Sequence, residues 1–290
     1  MQHKEHEARL QADLAVLTNQ TLNRRRALLW LAAGAGALPL LAACGTDTTT
    51  AANATGTSTA GTTGTTASGS TSQTGSSADG TCTVIPEETA GPYPGDGSNG
   101  ANALILSGIV RSAIASSFAG ATGVATGIPL KIEITLVNAS GSCAELEGYA
   151  VYLWHCDRSG QYSMYSNAVK SENYLRGIQA SDAEGKLVFE SIYPGCYDGR
   201  WPHIHFEVYK SLSAAGNVKN KIATSQIAMP AAPSKLVYAT SSYTSSTSNF
   251  NKSNLSTDNV FSDGSSLQLP TVEGNVTDGF TVKLTVAVKG

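Results

Sequence analysis

The sequence predicts an all-β fold, a β-sandwich of mixed or antiparallel strands joined by long loops. Three observations carry this prediction. Short segments alternate apolar and polar side chains, as half-buried strands do. Turns rich in Gly, Ser and Asn separate these segments, and 29 of the 290 residues are Gly. The second half of the chain has no long stretch of helical period, so a sandwich is favoured over a helix-containing class.

The first 43 residues are predicted to be an export signal rather than part of this fold. Three arginines, Arg24-Arg-Arg26, precede a short apolar stretch that ends in Leu41-Ala-Ala-Cys44. A basic start, an apolar run and small residues before a cleavage point are typical of signal peptides, and this run is short for a membrane span. The ending resembles a bacterial lipobox, which implies lipidation of Cys44. The arginines resemble a twin-arginine signal, and a Sec signal with a chance cysteine is the alternative.

Residues 44–80 consist almost entirely of Thr, Ser, Gly and Ala. Such a composition has little apolar surface to bury and predicts a flexible tether. The folded domain is therefore placed at residues 81–290, and the protein is expected to be exported and held at the membrane only through a lipid anchor. A net charge of −3 and a pI near 5.9 give no electrostatic footprint for nucleic acid. No oligomeric state is predicted.

Five segments of the folded domain are predicted strands. Leu130–Leu136 alternates apolar and polar residues, and Tyr149–His155 is apolar on both faces, which suits a central strand. Leu187–Phe189 is a short strand, His203–Tyr209 is a longer one, and Phe280–Val288 alternates again as a closing strand. Residues 231–270 are rich in Ser and Asn and are predicted to be loop, while residues 211–225 carry no readable pattern.

Four cysteines follow Cys44, namely Cys82, Cys143, Cys156 and Cys196. An even number in an exported chain indicates two disulfides, for which three pairings are possible. We favour Cys82–Cys143 and Cys156–Cys196, because the last two cysteines both lie in the stretches that carry the motifs described below.

Two histidines two residues apart mark the candidate site. On a strand, His203 and His205 point to the same face, with Cα atoms about 6–7 Å apart. Tyr197 and Arg200 lie in the glycine-containing loop just before them. A pair of imidazoles beside a phenol and a guanidinium predicts a metal site next to a cation. For Arg200 the alternative is an ion pair with Asp198 or a bond to a loop carbonyl.

Further metal ligands must come from outside this strand. Besides His203 and His205, one more histidine follows the signal, His155, which lies on a different strand among apolar neighbours. Such a residue is more commonly a hydrogen-bonded structural histidine, and a metal ligand is the alternative. The remaining candidates are Tyr162 and Tyr197. A phenol has a pKa of about 10, which a trivalent cation would lower. Two phenolates and two imidazoles suit Fe(III) better than Zn(II), although either tyrosine alone would more commonly be an ordinary aromatic.

The sequence resembles the intradiol ring-cleavage dioxygenases. The motifs are Trp154-His-Cys-Asp-x-x-Gly-x-Tyr162-Ser and Tyr193-Pro-Gly-x-Tyr197-x-Gly-Arg200-x-Pro-His203-Ile-His205-Phe. Thr89-Ala-Gly-Pro-Tyr-Pro94 resembles the substrate-loop motif of that family. The resemblance covers most of residues 82–290 and points to the small exported branch of the family.

This resemblance implies a non-haem Fe(III) centre and intradiol cleavage of a catechol-type aromatic by O2 to a cis,cis-muconate-type diacid. Arg200 matches the active-site arginine, Gln226 the glutamine that supports it, and Tyr93 lines the substrate pocket. Tyr197 is implied to leave the metal and accept a substrate proton. The four implied metal ligands are Tyr162, Tyr197, His203 and His205.

Two positions depart from the family pattern. Cys196 stands where tryptophan is common and Met164 where glycine is common. Cys196 could change the pocket wall or reflect the proposed disulfide, and Met164 could narrow the substrate entry. Neither change removes a ligand.

Two other classes of function are considered. One is a non-catalytic cell-surface β-sandwich binding module that kept the motifs; its colourless, iron-free preparations would distinguish it from a red ferric enzyme. The other is a cupin-like Zn or Mn enzyme, which would require another histidine after His205, and the sequence has none there.

Overall fold

Eight strands form two four-stranded sheets in residues 82–290, the part of the chain that the computed structural model describes. The strands are β1 (Pro129–Asn138), β2 (Ala150–Trp154), β3 (Arg176–Ala180), β4 (Lys186–Ile192), β5 (His203–Tyr209), β6 (Lys221–Ala228), β7 (Thr271–Asn275) and β8 (Gly279–Val288). The helices are α1 (Ala231–Tyr238), α2 (Thr244–Lys252) and the 3-10 helices Ala214–Gly216, Val218–Asn220 and Ser241–Tyr243.

One sheet has the strand order β4-β1-β8-β7 and the other has the order β3-β2-β5-β6. β1 and β8 run parallel, with Leu130 opposite Phe280, and the other strand pairs are antiparallel. The prediction of an all-β sandwich with mixed and antiparallel strands is confirmed.

Alternate residues of the strands fill a core to which both sheets contribute. Because successive strand residues point to opposite faces, each strand presents one row to this core. β1 contributes Leu130, Ile132, Ile134 and Leu136, and β5 contributes Ile204, Phe206 and Val208, all of them buried. Burial of each such side chain stabilises the fold by roughly 1.5–3 kcal/mol. The other face of β5 is thereby left to carry the two histidines.

That second face lies beneath the loops that precede β1 and follow β2. His205 of β5 is opposite Trp154 of β2 on one side and Gln226 of β6 on the other. Trp154 belongs to a second hydrophobic cluster, which also contains Tyr162 from the loop after β2 and Ala103 from the loops before β1. The loops therefore bury this face of the sheet and bring their own side chains to it.

The prediction that residues 231–270 are loop is wrong. They contain α1, of 8 residues, and α2, of 9 residues. Helices this short gain little stability on their own and depend on tertiary packing. Val237 and Tyr238 of α1 are buried, and the Tyr238 hydroxyl donates to the Pro194 carbonyl at 3.0 Å. Packing against the core thus stabilises helices that a Ser- and Asn-rich sequence does not reveal.

The structure contains the favoured disulfide between Cys82 and Cys143. The predicted bridge between Cys156 and Cys196 is wrong, because both are buried free thiols. Cys156 packs in the cluster of Trp154, whereas Cys196 packs in the core shared by the two sheets. The two side chains therefore point into different clusters although both lie in motif-bearing segments.

We expect the two buried thiols to resist alkylation in the native protein. Burial raises the pKa of Cys196 to about 12 and that of Cys156 well above its usual value, and the thiolate is the reactive form. Peptide mass spectrometry after alkylation at pH 8 should show both cysteines unmodified in the native state and both modified in denaturant without reductant. Cys82 and Cys143 should label only after reduction. Recovery of a peptide linking Cys156 to Cys196 would contradict this prediction.

Within residues 82–290, none of the helices has both the length and the apolar character needed to span a bilayer. The predicted signal at residues 1–43, the lipidated Cys44 and the tether at residues 44–80 lie outside the described residues and stay predictions.

Candidate active site

The four side chains predicted to bind a metal converge on one point. The His203 Nε2 atom lies 3.1 Å from His205 Nε2, 3.1 Å from the Tyr197 hydroxyl and 3.5 Å from the Tyr162 hydroxyl. The loops on this face of the sheet thus bring two phenol oxygens to two imidazole nitrogens.

The two imidazoles are fixed by their immediate surroundings. Trp154 stacks on His205 with ring centroids 4.9 Å apart and planes 3° apart. Gly91 lies against the same imidazole, where an added Cβ would be 3.3 Å from His205 Cε1, and its φ of +67° also favours glycine. The His203 Nδ1 atom is 2.6 Å from the Trp201 carbonyl. The Nδ1–H of His203 therefore donates to that carbonyl, which leaves a lone pair on Nε2.

Two loops that pack closely together position the tyrosines. Tyr162 follows the turn that begins at Asp157, and Tyr197 follows Gly195 in the loop before β5. A Cβ at Gly195 would lie 2.5 Å from the Asp157 carbonyl oxygen, so only glycine allows the loops to approach this closely. The rings of Tyr162 and Tyr197 consequently meet edge to face, with centroids 5.9 Å apart.

The electrostatics of the four donors follow from their burial. Desolvation lowers the pKa of both His203 and His205 well below the ordinary value, and neighbouring positive charge lowers it further. The imidazoles are thus neutral and able to act as ligands. Desolvation raises the pKa of Tyr162 and Tyr197 above the ordinary value, so these phenols would become phenolates only beside a strongly charged cation.

This donor set fits a hard trivalent cation. Among residues 82–290, no group of three or more His, Cys, Asp or Glu is placed to hold a metal ion, so a metal here would depend on the tyrosine oxygens. Oxygen and imidazole donors suit iron, whereas structural zinc sites are dominated by Cys and His.

Arg200 lies at the edge of the donor set and contacts three different groups. Its Nη1 atom is 3.4 Å from His203 Nε2, and its Nη2 donates to Gln226 Oε1 at 2.7 Å. Its Nε donates to Asp258 Oδ2 at 2.9 Å. The acidic partner of Arg200 is therefore Asp258 and not Asp198, which is exposed. The predicted support of Arg200 by Gln226 corresponds to a direct hydrogen bond.

Tyr93 packs on the donor set, and a buried arginine that the sequence analysis missed holds it there. The Tyr93 and Tyr162 ring centroids are 5.0 Å apart. Arg176 is 1% exposed and donates to the carbonyl oxygens of Tyr93, Pro94 and Ser163 at 3.0, 2.7 and 2.9 Å. One side chain thus ties the substrate-loop motif to the residue that follows Tyr162. No sequence spacing signals this contact, because its partners come from two separate loops.

The two departures from the family pattern have different structural consequences. Met164 has a φ of +69°, in the left-handed region that favours glycine, which explains why glycine is common there. Cys196 is buried in the core shared by the two sheets, and its backbone N–H donates to the side-chain Oγ of Ser246 in α2 at 2.9 Å. Neither residue is one of the four converging donors.

His155 lies outside the donor set and is hydrogen-bonded, as the structural reading predicts. Its Nδ1 is 2.8 Å from the Cys156 carbonyl and its Nε2 is 2.7 Å from Ser191 Oγ. Burial lowers its pKa to about 4.

The low pKa of His155 predicts a loss of stability in acid. Between pH 6.5 and 4 the unfolded state binds a proton at this residue and the native state does not, so the free energy of unfolding falls as the pH falls. The shift corresponds to about 3 kcal/mol over that window. Urea unfolding at pH 7 and pH 5 should show a smaller loss of stability in His155→Gln than in the wild type. Equal losses in the two proteins would contradict the prediction.

Known proteins share the fold and part of the sequence. The family model described as "Dioxygenase" matches residues 115–223. A solved intradiol ring-cleavage dioxygenase from Tetranychus urticae is 26% identical, with a TM-score of 0.57, over 71% of this chain and 95% of that chain. A second solved dioxygenase is 26% identical, with a TM-score of 0.55, over 71% and 94% of the two chains.

More distant is the dioxygenase domain of a carbohydrate-binding fusion from Streptomyces sp. SirexAA-E, at 20% identity and a TM-score of 0.44 over 71% of this chain and 97% of that chain. No curated protein matches significantly. The segment that matches the family model contains Tyr162, Tyr197, Arg200, His203 and His205. The chain is thus similar to dioxygenases over the segment that carries these residues, and it is similar in fold to a solved intradiol ring-cleavage dioxygenase.

Proposed function

We propose that this protein is an Fe(III)-dependent intradiol dioxygenase, which uses O2 to cleave a catechol-type ring to a cis,cis-muconate-type diacid and incorporates both oxygen atoms. The observation that carries the proposal is the convergence of two phenol oxygens and His205 Nε2 within 3.5 Å of His203 Nε2. The similarity to a protein named an intradiol ring-cleavage dioxygenase supports it.

The residues that would hold the iron are Tyr162, Tyr197, His203 and His205. When bound, a ferric ion would supply Lewis acidity, which lowers the pKa of phenols and of substrate hydroxyls. The protein supplies neutral imidazoles and a buried, largely aromatic enclosure. Tyr93 and Trp154 are part of that enclosure and keep bulk water from the donors.

Two side chains are placed to act on the substrate itself. The Tyr197 hydroxyl oxygen is closer to His203 Nε2 than the Tyr162 hydroxyl oxygen is, and in its ionised, phenolate form it would take a proton from a substrate hydroxyl. The Arg200 guanidinium faces the same point through Nη1 and would stabilise negative charge on the ring. Because Arg200 is held by groups on its far side, it presents this charge without having to rearrange.

The charges around the site favour a substrate without a carboxylate. Among the described residues, Arg200 is ion-paired with Asp258, and Arg176 donates to neutral oxygens of Tyr93, Pro94 and Ser163. Neither guanidinium is left free for a carboxylate on the ring. We therefore propose that catechol or hydroxyquinol is turned over in preference to protocatechuate.

The experiment is to load the purified protein with iron, record its visible spectrum, and supply catechol, hydroxyquinol and protocatechuate in turn under ¹⁸O₂. A burgundy protein that forms a ring-cleaved diacid containing two ¹⁸O atoms would support the proposal. A colourless protein that stays inactive after loading would instead support the non-catalytic binding module.

We further propose that the enzyme is an exported lipoprotein anchored through Cys44. This rests on the Leu41-Ala-Ala-Cys44 motif and on the Thr- and Ser-rich segment after it. The Cys82–Cys143 disulfide is in keeping with an oxidising compartment.

A further inference from the structure

We propose that Asp258 is the positioning residue that aims Arg200 at the candidate active site. The inference rests on the function proposed above, since it assigns the group on which Arg200 depends. Asp258 lies in a turn beyond α2 and beyond the segment that matches the family model.

The Asp258 carboxylate is held by four donors. Oδ1 accepts from the backbone N–H groups of Val260 and Phe261 at 2.9 and 3.2 Å. Oδ2 accepts from Arg200 Nε at 2.9 Å and from the Trp201 N–H at 2.7 Å. Three of these donors belong to the backbone, so the carboxylate has a fixed position whether or not the guanidinium is present. Oδ2 therefore determines where Arg200 Nε lies.

The same turn also places an aromatic ring beside the guanidinium. Arg200 Cζ lies 5.9 Å from the centre of the Phe261 ring, and that ring is 6.5 Å from the His203 ring. Asp258 thus holds Nε of a guanidinium whose Cζ lies over the Phe261 ring. With Nε held by Asp258 and Nη2 held by Gln226, Nη1 is the nitrogen directed at His203 Nε2.

Asp258 also compensates the charge of Arg200. The side chains are 11% and 1% exposed for Arg200 and Asp258, respectively. A guanidinium so shielded from water requires a partner, or it moves toward solvent. In the absence of the carboxylate, we expect Arg200 to turn away from the neutral imidazoles.

The substitution Asp258→Asn tests whether the carboxylate positions Arg200, because it removes the charge and keeps the size and shape of the side chain. Asparagine has the same outline, but one of its two terminal groups is an NH₂, which must face either the Arg200 and Trp201 donors or those of Val260 and Phe261. We expect kcat to fall on the order of 10-fold with a much smaller change in KM. In an Arg200→Ala background the same substitution should lower kcat less than about 2-fold, because residues that act as a unit are not additive. Asp198→Asn, an exposed change in the loop that carries Arg200, is the matched control and should leave kcat unchanged.

A second measurement needs no turnover. In ¹⁵N-labelled, metal-free protein, the Arg200 Nε–H signal is identified by its absence in Arg200→Lys. It should exchange with solvent on the order of 100-fold more slowly than free arginine, and this protection should be lost in Asp258→Asn. Exchange as fast as in free arginine in the wild type, or equal kcat losses with and without Arg200, would overturn the role of Asp258. An inactive wild type would defeat the proposed function alone, while the Nε–H signal would still decide on Asp258.

Discussion

The Tyr162→Phe variant is expected to fold normally but to lose the visible absorbance of the iron-loaded protein and its ring-cleavage activity. The rate of ring cleavage should fall on the order of 10³-fold or more, because Tyr162 acts together with the other donors. The substitution removes a single oxygen, the one 3.5 Å from His203 Nε2. Phenylalanine keeps the ring that packs on Tyr93 and Tyr197 at centroid distances of 5.0 and 5.9 Å. The fold should therefore survive while the donor set loses one of its four members.

The loss of that hydroxyl should change the stability of the metal-free protein only slightly, because its partners are the Tyr197 hydroxyl and, across 3.5 Å, His203. Melting temperatures without iron should thus be nearly equal in the variant and the wild type, and the iron-dependent increase in melting temperature should fall in the variant. Tyr149→Phe, the same chemical change at the residue just before β2, is the control and should keep colour and rate. Full colour and activity in Tyr162→Phe would exclude Tyr162 from the metal site.

Local sequence pattern predicted β1, β2, β4, β5 and β8, and it missed β7, which has no buried residue, and also β3 and β6. β1 and β8 alternate apolar and polar side chains, so their inner faces could be read directly. β3 begins with Arg176, and β6 contains Gln226, both buried. A charged or amide side chain normally argues for an exposed position, and only the carbonyls and side chains supplied by distant loops make its burial possible here.

The residues of the candidate site also differ in whether the sequence could predict them. His203 and His205 could be placed on one face from their spacing alone, because a strand has a period of two. Tyr162 depended on the motif resemblance, since nothing in the local pattern joins its loop to β5. Asp258 could not be found by either route, because an aspartate in a Ser- and Asn-rich segment shows no sign of an arginine 58 residues away. Such contacts are fixed by how loops pack on the sheet.

The error over the second disulfide has a related cause. Cys156 and Cys196 were paired because both are close to the motifs in sequence. Closeness in sequence does not fix the direction of a side chain, and these two point into different hydrophobic clusters. Cys82 and Cys143, by contrast, have Cα atoms 5.7 Å apart, a spacing that allows a bridge.

Arg200→Ala is expected to retain iron and colour but to slow turnover by ~10²-fold or more, as the loss of a charge-stabilising group does. The four converging donors do not include the guanidinium, so the ferric site should assemble without it. The fold should also tolerate the change, because Asp258 would keep three backbone donors, from Trp201, Val260 and Phe261. Oxygen uptake and the visible spectrum, measured on the same preparation, separate turnover from metal binding. Arg158→Ala, in the turn before Tyr162, is the control: it removes an arginine side chain that is not directed at the donor set and should leave turnover unchanged. A rate unchanged in Arg200→Ala would assign the arginine to structure, and the charge that builds on the ring would then require another source of stabilisation.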